Sequence, residues 1–160
     1  MDGSPRQHAL RRGRVSLARH AYLVTTVSRG RQRLFADFET GCVAARAMND
    51  PRAWDDARLL AWVLMPDHWH GLILLGERRP LSQVVQRLKS NSARAINSIQ
   101  DSQGAVWQPG FHDHAIRGER NLEAAARYLV ANPLRAGLVA SLRDYPFWDA
   151  QWGMDTLQAI

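Results

Sequence analysis

Cysteine is almost absent. Cys42 is the only one in 160 residues, so no disulfide can form within the chain and no thiolate zinc cluster can be built. Long apolar runs are also missing: none reaches the length of a membrane span. The opening stretch, MDGSPRQHALRRGRVSLARH, is basic and lacks the apolar segment of a signal peptide. A soluble protein of a reducing cytoplasm is the expectation. There is no internal repeat and no low-complexity tract, and 46% of the residues are apolar, enough for the body of the chain to fold without a partner. The length suits one domain with a real core and is too short for two comfortable ones.

Negative charge is in short supply. Lys and Arg total 21 against 15 Asp and Glu, a formal charge of +6 with an isoelectric point near 10.6, and almost all of the positive charge is arginine. A guanidinium offers a planar fork of donors that matches phosphate oxygens, so this bias points to a polyanionic partner, nucleic acid above all. Charge alone is also compatible with an inert basic surface. Residues 1–19 carry Arg6, Arg11, Arg12, Arg14 and Arg19 with little apolar periodicity, which reads as a basic flexible arm able to wrap DNA.

The apolar pattern predicts an α+β order. YLVTTV, residues 22–27, is β-branched and aromatic and precedes the turn signal SRGRQ. Residues 38–48 suit a short helix ending near Asn49, Asp50 and Pro51. Runs 59–65 and 68–75, punctuated by Pro66 and Asp67, read as a buried hairpin. Residues 80–99 space Leu81, Val84, Val85, Leu88, Ala95, Ile96 and Ile99 at helical intervals. A short strand over 111–117 and a helix over 121–131, ending before Pro133, complete the series. Strand, helix, strand, strand, helix, strand is a ferredoxin-like βαββαβ antiparallel arrangement, here with an added C-terminal helix, although another strand order in the sheet is open at this stage.

Two pairs of residues carry candidate chemistry. His68 and His70 flank Trp69, and residues two apart on a strand share a face, so both imidazoles can reach one metal ion. Taken alone such a pair is more often a set of satisfied, partly buried histidines. Tyr128 and Asn132 stand four apart on the last helix and share a face one turn apart. Taken alone they read as a packed ring and a helix-end residue before a proline. Together, two imidazoles, an amide oxygen and a phenol outline a phosphodiester-cleaving site. The phenol, with a pKa of about 10, needs help to attack phosphorus, and a metal on a phosphate oxygen would provide it.

These residues lie in segments that resemble the REP-associated tyrosine transposases, relatives of the single-tyrosine HUH transposases. The carriers are YLVTTVSRGRQRLF, WVLMPDHWHGLILL, LKSNSARAIN, WQPGFHDHAIR, YLVANPLRAGLV and DYPFWDAQW, in that order, between about Arg14 and Trp152. The resemblance implies that His68 and His70 are the HUH metal ligands, Asn132 the third ligand and Tyr128 the nucleophile. It further implies a ferredoxin-like fold that cleaves single-stranded DNA beside small imperfect hairpins or palindromic repeats, with Mg²⁺ or Mn²⁺, through a covalent phosphotyrosine. On this reading residues 1–19 are the arm, 20–145 the catalytic domain and 146–160 a C-terminal tail. The protein would then be a cytoplasmic, nucleoid-associated DNA recombination enzyme.

A rival His-x-His pair, His112 and His114, lies on the 111–117 strand, where His114 could support the first site. Asp67 and Asp113 sit next to the two pairs and could orient imidazoles, though turn or surface roles suit them equally. Arg11, Arg12, Arg14, Arg87, Lys89, Ser90, Arg94 and Arg117 are the candidate DNA contacts, with Arg117 expected close to the site. Trp69, Trp107 and Phe111 could stack on unpaired bases, Trp69 being expected to turn inward instead. The alternative function is a non-catalytic module that grips single-stranded or hairpin nucleic acid. No RNP-like aromatic motif supports it. A zinc hydrolase ranks lower, for want of a glutamate general base. Monomer and homodimer are both open.

Overall fold

The computed structural model describes residues 16–158. The arm residues Arg6, Arg11, Arg12 and Arg14 lie outside the described part. Five strands form one antiparallel sheet: β1 (Ala21–Val27), β2 (Arg58–Met65), β3 (His68–Leu74), β4 (His112–Ile116) and β5 (Trp148–Ala150), ordered β4-β1-β3-β2-β5. The first four have the ferredoxin-like order. The expected helix over 38–48 is α1 (Phe38–Met48), and the long amphipathic segment is α3 (Leu81–Gln100). Between them, α2 (Pro51–Trp54) adds a single turn that the pattern did not reveal.

Strand alternation divides the sheet into two faces. Tyr22, Val24, Trp62, Leu64, Trp69 and Ile73 turn to one side and pack with Ala44 and Met48 of α1 and Leu81, Val84, Val85, Leu88 and Ile96 of α3. Ala61, Val63, Met65 and Leu72 turn to the other and meet Ala126, Leu129 and Val130 of α4 (Glu119–Val130). A bulge between Leu59 and Ala61 lets Leu60 and Ala61 both join this second cluster, and restores the pairing of β2 with β3 beyond it. The helix ends follow ordinary local chemistry. Asp37 caps α1, its carboxylate accepting from Thr40 N at 3.0 Å and Thr40 Oγ1 at 2.7 Å. Gly118, at φ 86°, turns the chain into α4 in a conformation that favours glycine.

Two boundaries differ from the sequence expectation. Residues 146–160 are more than a tail: β5 pairs with β2, Leu64 N donates to Phe147 O at 2.9 Å, and Phe147 is buried in the core under α1. A three-residue strand has too short a period to register in the sequence, and it is the partner β2 that gives it its backbone hydrogen bonds. Pro133 does not end the helical path. After Ala131 a further turn, α5 (Asn132–Arg135), begins with Pro133 in its first turn, where no amide hydrogen is needed. The chain closes on α6 (Met154–Gln158), which packs on α4. Among the described residues no helix is long and apolar enough to cross a membrane.

Trp69 is the largest fully buried side chain, and its ring lies over the backbone of Gly71: a Cβ there would sit 2.0 Å from Trp69 Cη2. Gly71→Ala should therefore cost about 1–3 kcal/mol through overpacking, read as a lower Tm. Gly153→Ala, with open space around its Cβ, should leave Tm unchanged.

Candidate active site

β3 is hydrogen-bonded on both sides, to β1 and to β2, so the direction of its side chains is firmly set. His68 and His70 emerge on the α4 face while Trp69 is buried on the other, as alternation predicts. Their rings stand edge to face with centroids 4.6 Å apart. Each Nδ1 already has a partner. His68 Nδ1 and Asp67 Oδ1 are 2.6 Å apart, and His70 Nδ1 and Thr25 Oγ1 are 2.7 Å apart. That leaves Nε2 of each ring as the nitrogen able to bind a metal, the arrangement in which outer partners orient ligating histidines. Asp67 also faces Arg31 at 3.8 Å. His70 is pushed down to about 3 by burial first, then by the neighbouring His68 and the Arg135 charge, so its imidazole is neutral at ordinary pH, as a ligand must be.

Among the described residues no cluster of three or more His, Cys, Asp or Glu could hold an ion. A metal on this pair would thus take a neutral oxygen as its third protein ligand. Asn132 opens α5, which packs against β2 beside the histidine strand. Its Nδ2 donates to Leu129 O at 3.0 Å, which orients the amide and leaves Oδ1 as the donor atom for a cation. Two imidazole nitrogens and an amide oxygen suit Mn²⁺ well and Mg²⁺ acceptably.

Tyrosine accessibility is unequal. Of the three tyrosines, Tyr128 is 63% exposed, on α4. Tyr22 is buried on the opposite face, its hydroxyl accepting from Leu17 N at 2.7 Å. Tyr145 donates to Leu64 O and is pushed up to about 12 by burial. Arg135 lies over the Tyr128 ring, its Cζ 3.9 Å from the centroid.

The other expected residues are scattered more widely. His112 pairs with Thr25, which pairs with His70, so His112 shares the histidine face but stands two strands away, about 10 Å. His114, opposite Leu23, is further along the same strand. Asp113 alternates to the other face and lines a cavity of about 650 Å³ with Tyr22 and Phe111, so it cannot orient the first histidine pair. Arg117 opens onto that same cavity, about 16 Å along β4 from the level of His70, and is not close to the site as expected. Arg87, Ser90 and Arg94 line a shallow groove on the outside of α3, with the sheet between them and the histidines. Lys89 is committed to structure, donating to Gln108 O at 2.6 Å and Gly110 O at 2.7 Å. Trp107 is buried against Phe35 and donates to Ser92 Oγ at 2.9 Å, so it offers no platform for a base. Thr25 and Arg135 were missed: neither lies in a spacing pattern with His70, and only the folded sheet joins them.

A ferredoxin-like sheet with an i, i+2 histidine pair on its middle strand, and a helix packed on that face that carries an exposed tyrosine, make up the centre of a small α+β protein. The chain belongs to the family described as Transposase IS200 like, which it matches over residues 17–132. It is 31% identical over 88 residues to the REP-associated tyrosine transposase of Escherichia coli (strain K12), covering 54% of this chain and 50% of that one. It thus spans about half the length of that relative. The solved structure of a REP-associated tyrosine transposase bound to a REP hairpin superposes with a TM-score of 0.68 at 24% identity, covering 84% of this chain and 79% of the other. A Deinococcus radiodurans structure follows at TM-score 0.53 and 20% identity, over 79% of this chain and 90% of that one.

The neutral, buried His70 has a consequence for stability. Its folded pKa lies below the ordinary value of 6.5, so the unfolded chain takes up a proton that the fold refuses. In metal-free protein, stability should hold above about pH 6.5 and fall progressively towards pH 3. His70→Gln should flatten that part of a Tm-against-pH curve; an unchanged slope would remove His70 as its source.

Proposed function

We propose that the chain is a metal-dependent single-stranded DNA endonuclease and strand transferase, acting at hairpins or palindromic repeats through Tyr128. One observation carries the reading: the helix packed on the face that presents two oriented imidazoles also carries the only exposed tyrosine. A divalent cation, Mg²⁺ or Mn²⁺, held by His68, His70 and Asn132, would supply Lewis-acid polarisation of a phosphodiester oxygen. Asp67 and Thr25 fix the two rings for that task, and burial keeps His70 deprotonated.

The Tyr128 oxygen then forms a bond to phosphorus as the bond from phosphorus to the 3′ oxygen breaks. The phenol loses its proton and the departing 3′ oxygen gains one. The product is a phosphotyrosine and a free 3′ hydroxyl, so the energy of the broken ester is retained and a 3′ hydroxyl can reverse the step and rejoin strands. The protein's setting would be the cytoplasm, on the nucleoid through its DNA, and its catalytic unit would be residues 20–145 together with β5.

Tyr128→Phe deletes one oxygen and leaves the ring in place. Hairpin DNA binding should persist, while cleavage and a protease-sensitive covalent adduct on denaturing gels should both vanish. An adduct formed by Tyr128→Phe would move the nucleophile elsewhere. Wild-type binding without any adduct, across divalent metals and hairpin sequences, would favour the non-catalytic binding module.

Affinity is assigned to arginines. Arg11, Arg12 and Arg14 of the arm, with Arg87, Ser90 and Arg94 on α3, would contact phosphates, so binding should weaken steeply with salt. Removing residues 1–14 should reduce the slope of log K against log salt by up to about 2, since about 0.7 is lost for each of the three single-strand phosphate contacts. Identical slopes would make the arm a bystander.

A further inference from the structure

Tyr128, Asn132 and Arg135 stand at i, i+4 and i+7. Helical backbone at Ala131 (φ −78°, ψ −2°) carries the path from α4 into α5, which places all three on one side of it. Arg135 ends that stripe. Its guanidinium is stacked on the Tyr128 ring, Cζ 3.9 Å from the centroid. The neighbouring Arg127 is committed, to Glu123 at 4.0 Å and to Thr156 O at 3.3 Å. Arg135 differs, since among the described residues no carboxylate pairs with it. A cation without a carboxylate partner among the described residues thus lies against the ring of the attacking phenol.

We propose that Arg135 is a catalytic residue of the site, the clamp on the scissile phosphate. The inference rests on the cleavage reading above and goes beyond it. For Tyr128 to attack, the phosphorus must come up to the phenol oxygen, and the guanidinium already lies against that ring. Arginine stays charged at every working pH, and its N–H fork matches two oxygens of a phosphodiester. As the tyrosine–phosphorus bond forms and the bond to the 3′ oxygen breaks, negative charge grows on the non-bridging oxygens. A fixed donor aimed at them lowers the barrier without needing to reorganise. Before DNA arrives, stacking on the ring stores the guanidinium beside the phenol.

The test uses the full chain with Mn²⁺ and end-labelled single-stranded oligonucleotides, each a short imperfect hairpin with unpaired flanks taken from the DNA beside its own gene. Single-turnover cleavage should fall about 10²-fold in Arg135→Gln. DNA Kd should change less than tenfold, Tm should be unaltered, and Arg135→Lys should recover part of the rate. A structural role is separated by sulfur substitution at the scissile phosphate. One phosphorothioate diastereomer should slow wild type while slowing Arg135→Gln much less, because the contact that sulfur disturbs is already gone. Equal sulfur effects in both proteins, or a rate for Arg135→Gln within about threefold of wild type, overturn the proposal while leaving the nucleophile assignment intact. Wild type that forms no adduct on any such substrate overturns the cleavage reading, and the clamp with it.

Discussion

The middle position of β3 is the constraint on which the rest depends. Bonded along both edges, the strand cannot slip by one residue without moving every side chain to the other face. A slip would expose Trp69 and bury both histidines among α1 and α3. The buried indole and the paired backbone therefore hold the register from one side, and the imidazoles inherit their direction on the other. Local partners finish the placement: Asp67 from the hairpin turn and Thr25 from β1 occupy the Nδ1 positions, so ring orientation is fixed in the folded chain.

The two faces divide the labour of the molecule. One is covered by α1 and α3, which supply most of the buried aromatic and branched residues. The other is covered by α4 through a narrow apolar contact of Ala126, Leu129 and Val130, small enough to leave Tyr128 outside it. The seated helix thus leaves the Tyr128 ring within reach of solvent. The basic stripe of α3 lies on the far side of the sheet, so DNA reaching both Tyr128 and Arg87 or Arg94 must wrap around the domain. The cation at Arg135, by contrast, stays beside the tyrosine.

Much of this was legible in the sequence because it is periodic or contiguous. Alternation located the strands and the shared face of His68 and His70. Helical spacing gave α1, α3 and α4 nearly to the residue, and the four-residue step joined Tyr128 to Asn132. The resemblance carried by MPDHWHG and YLVANPLRAGLV named the family that the match over residues 17–132 then showed. What periodicity cannot carry is a partner distant along the chain. β5 exists because β2 has an open edge to offer it, and three residues have no pattern of their own.

The same reason separates the two halves of the site. The sequence by itself determined which residue types are available and which neighbours share a face, since those depend only on backbone geometry over a few residues. Tertiary structure decided the rest: that Thr25 reaches His70 across 45 residues, and that Trp107 is spent in the core. It also turned Asp113 and Arg117 away from the histidines. Those outcomes depend on which strands pair and how the last helix crosses the sheet, and both are set by burial summed over the whole chain.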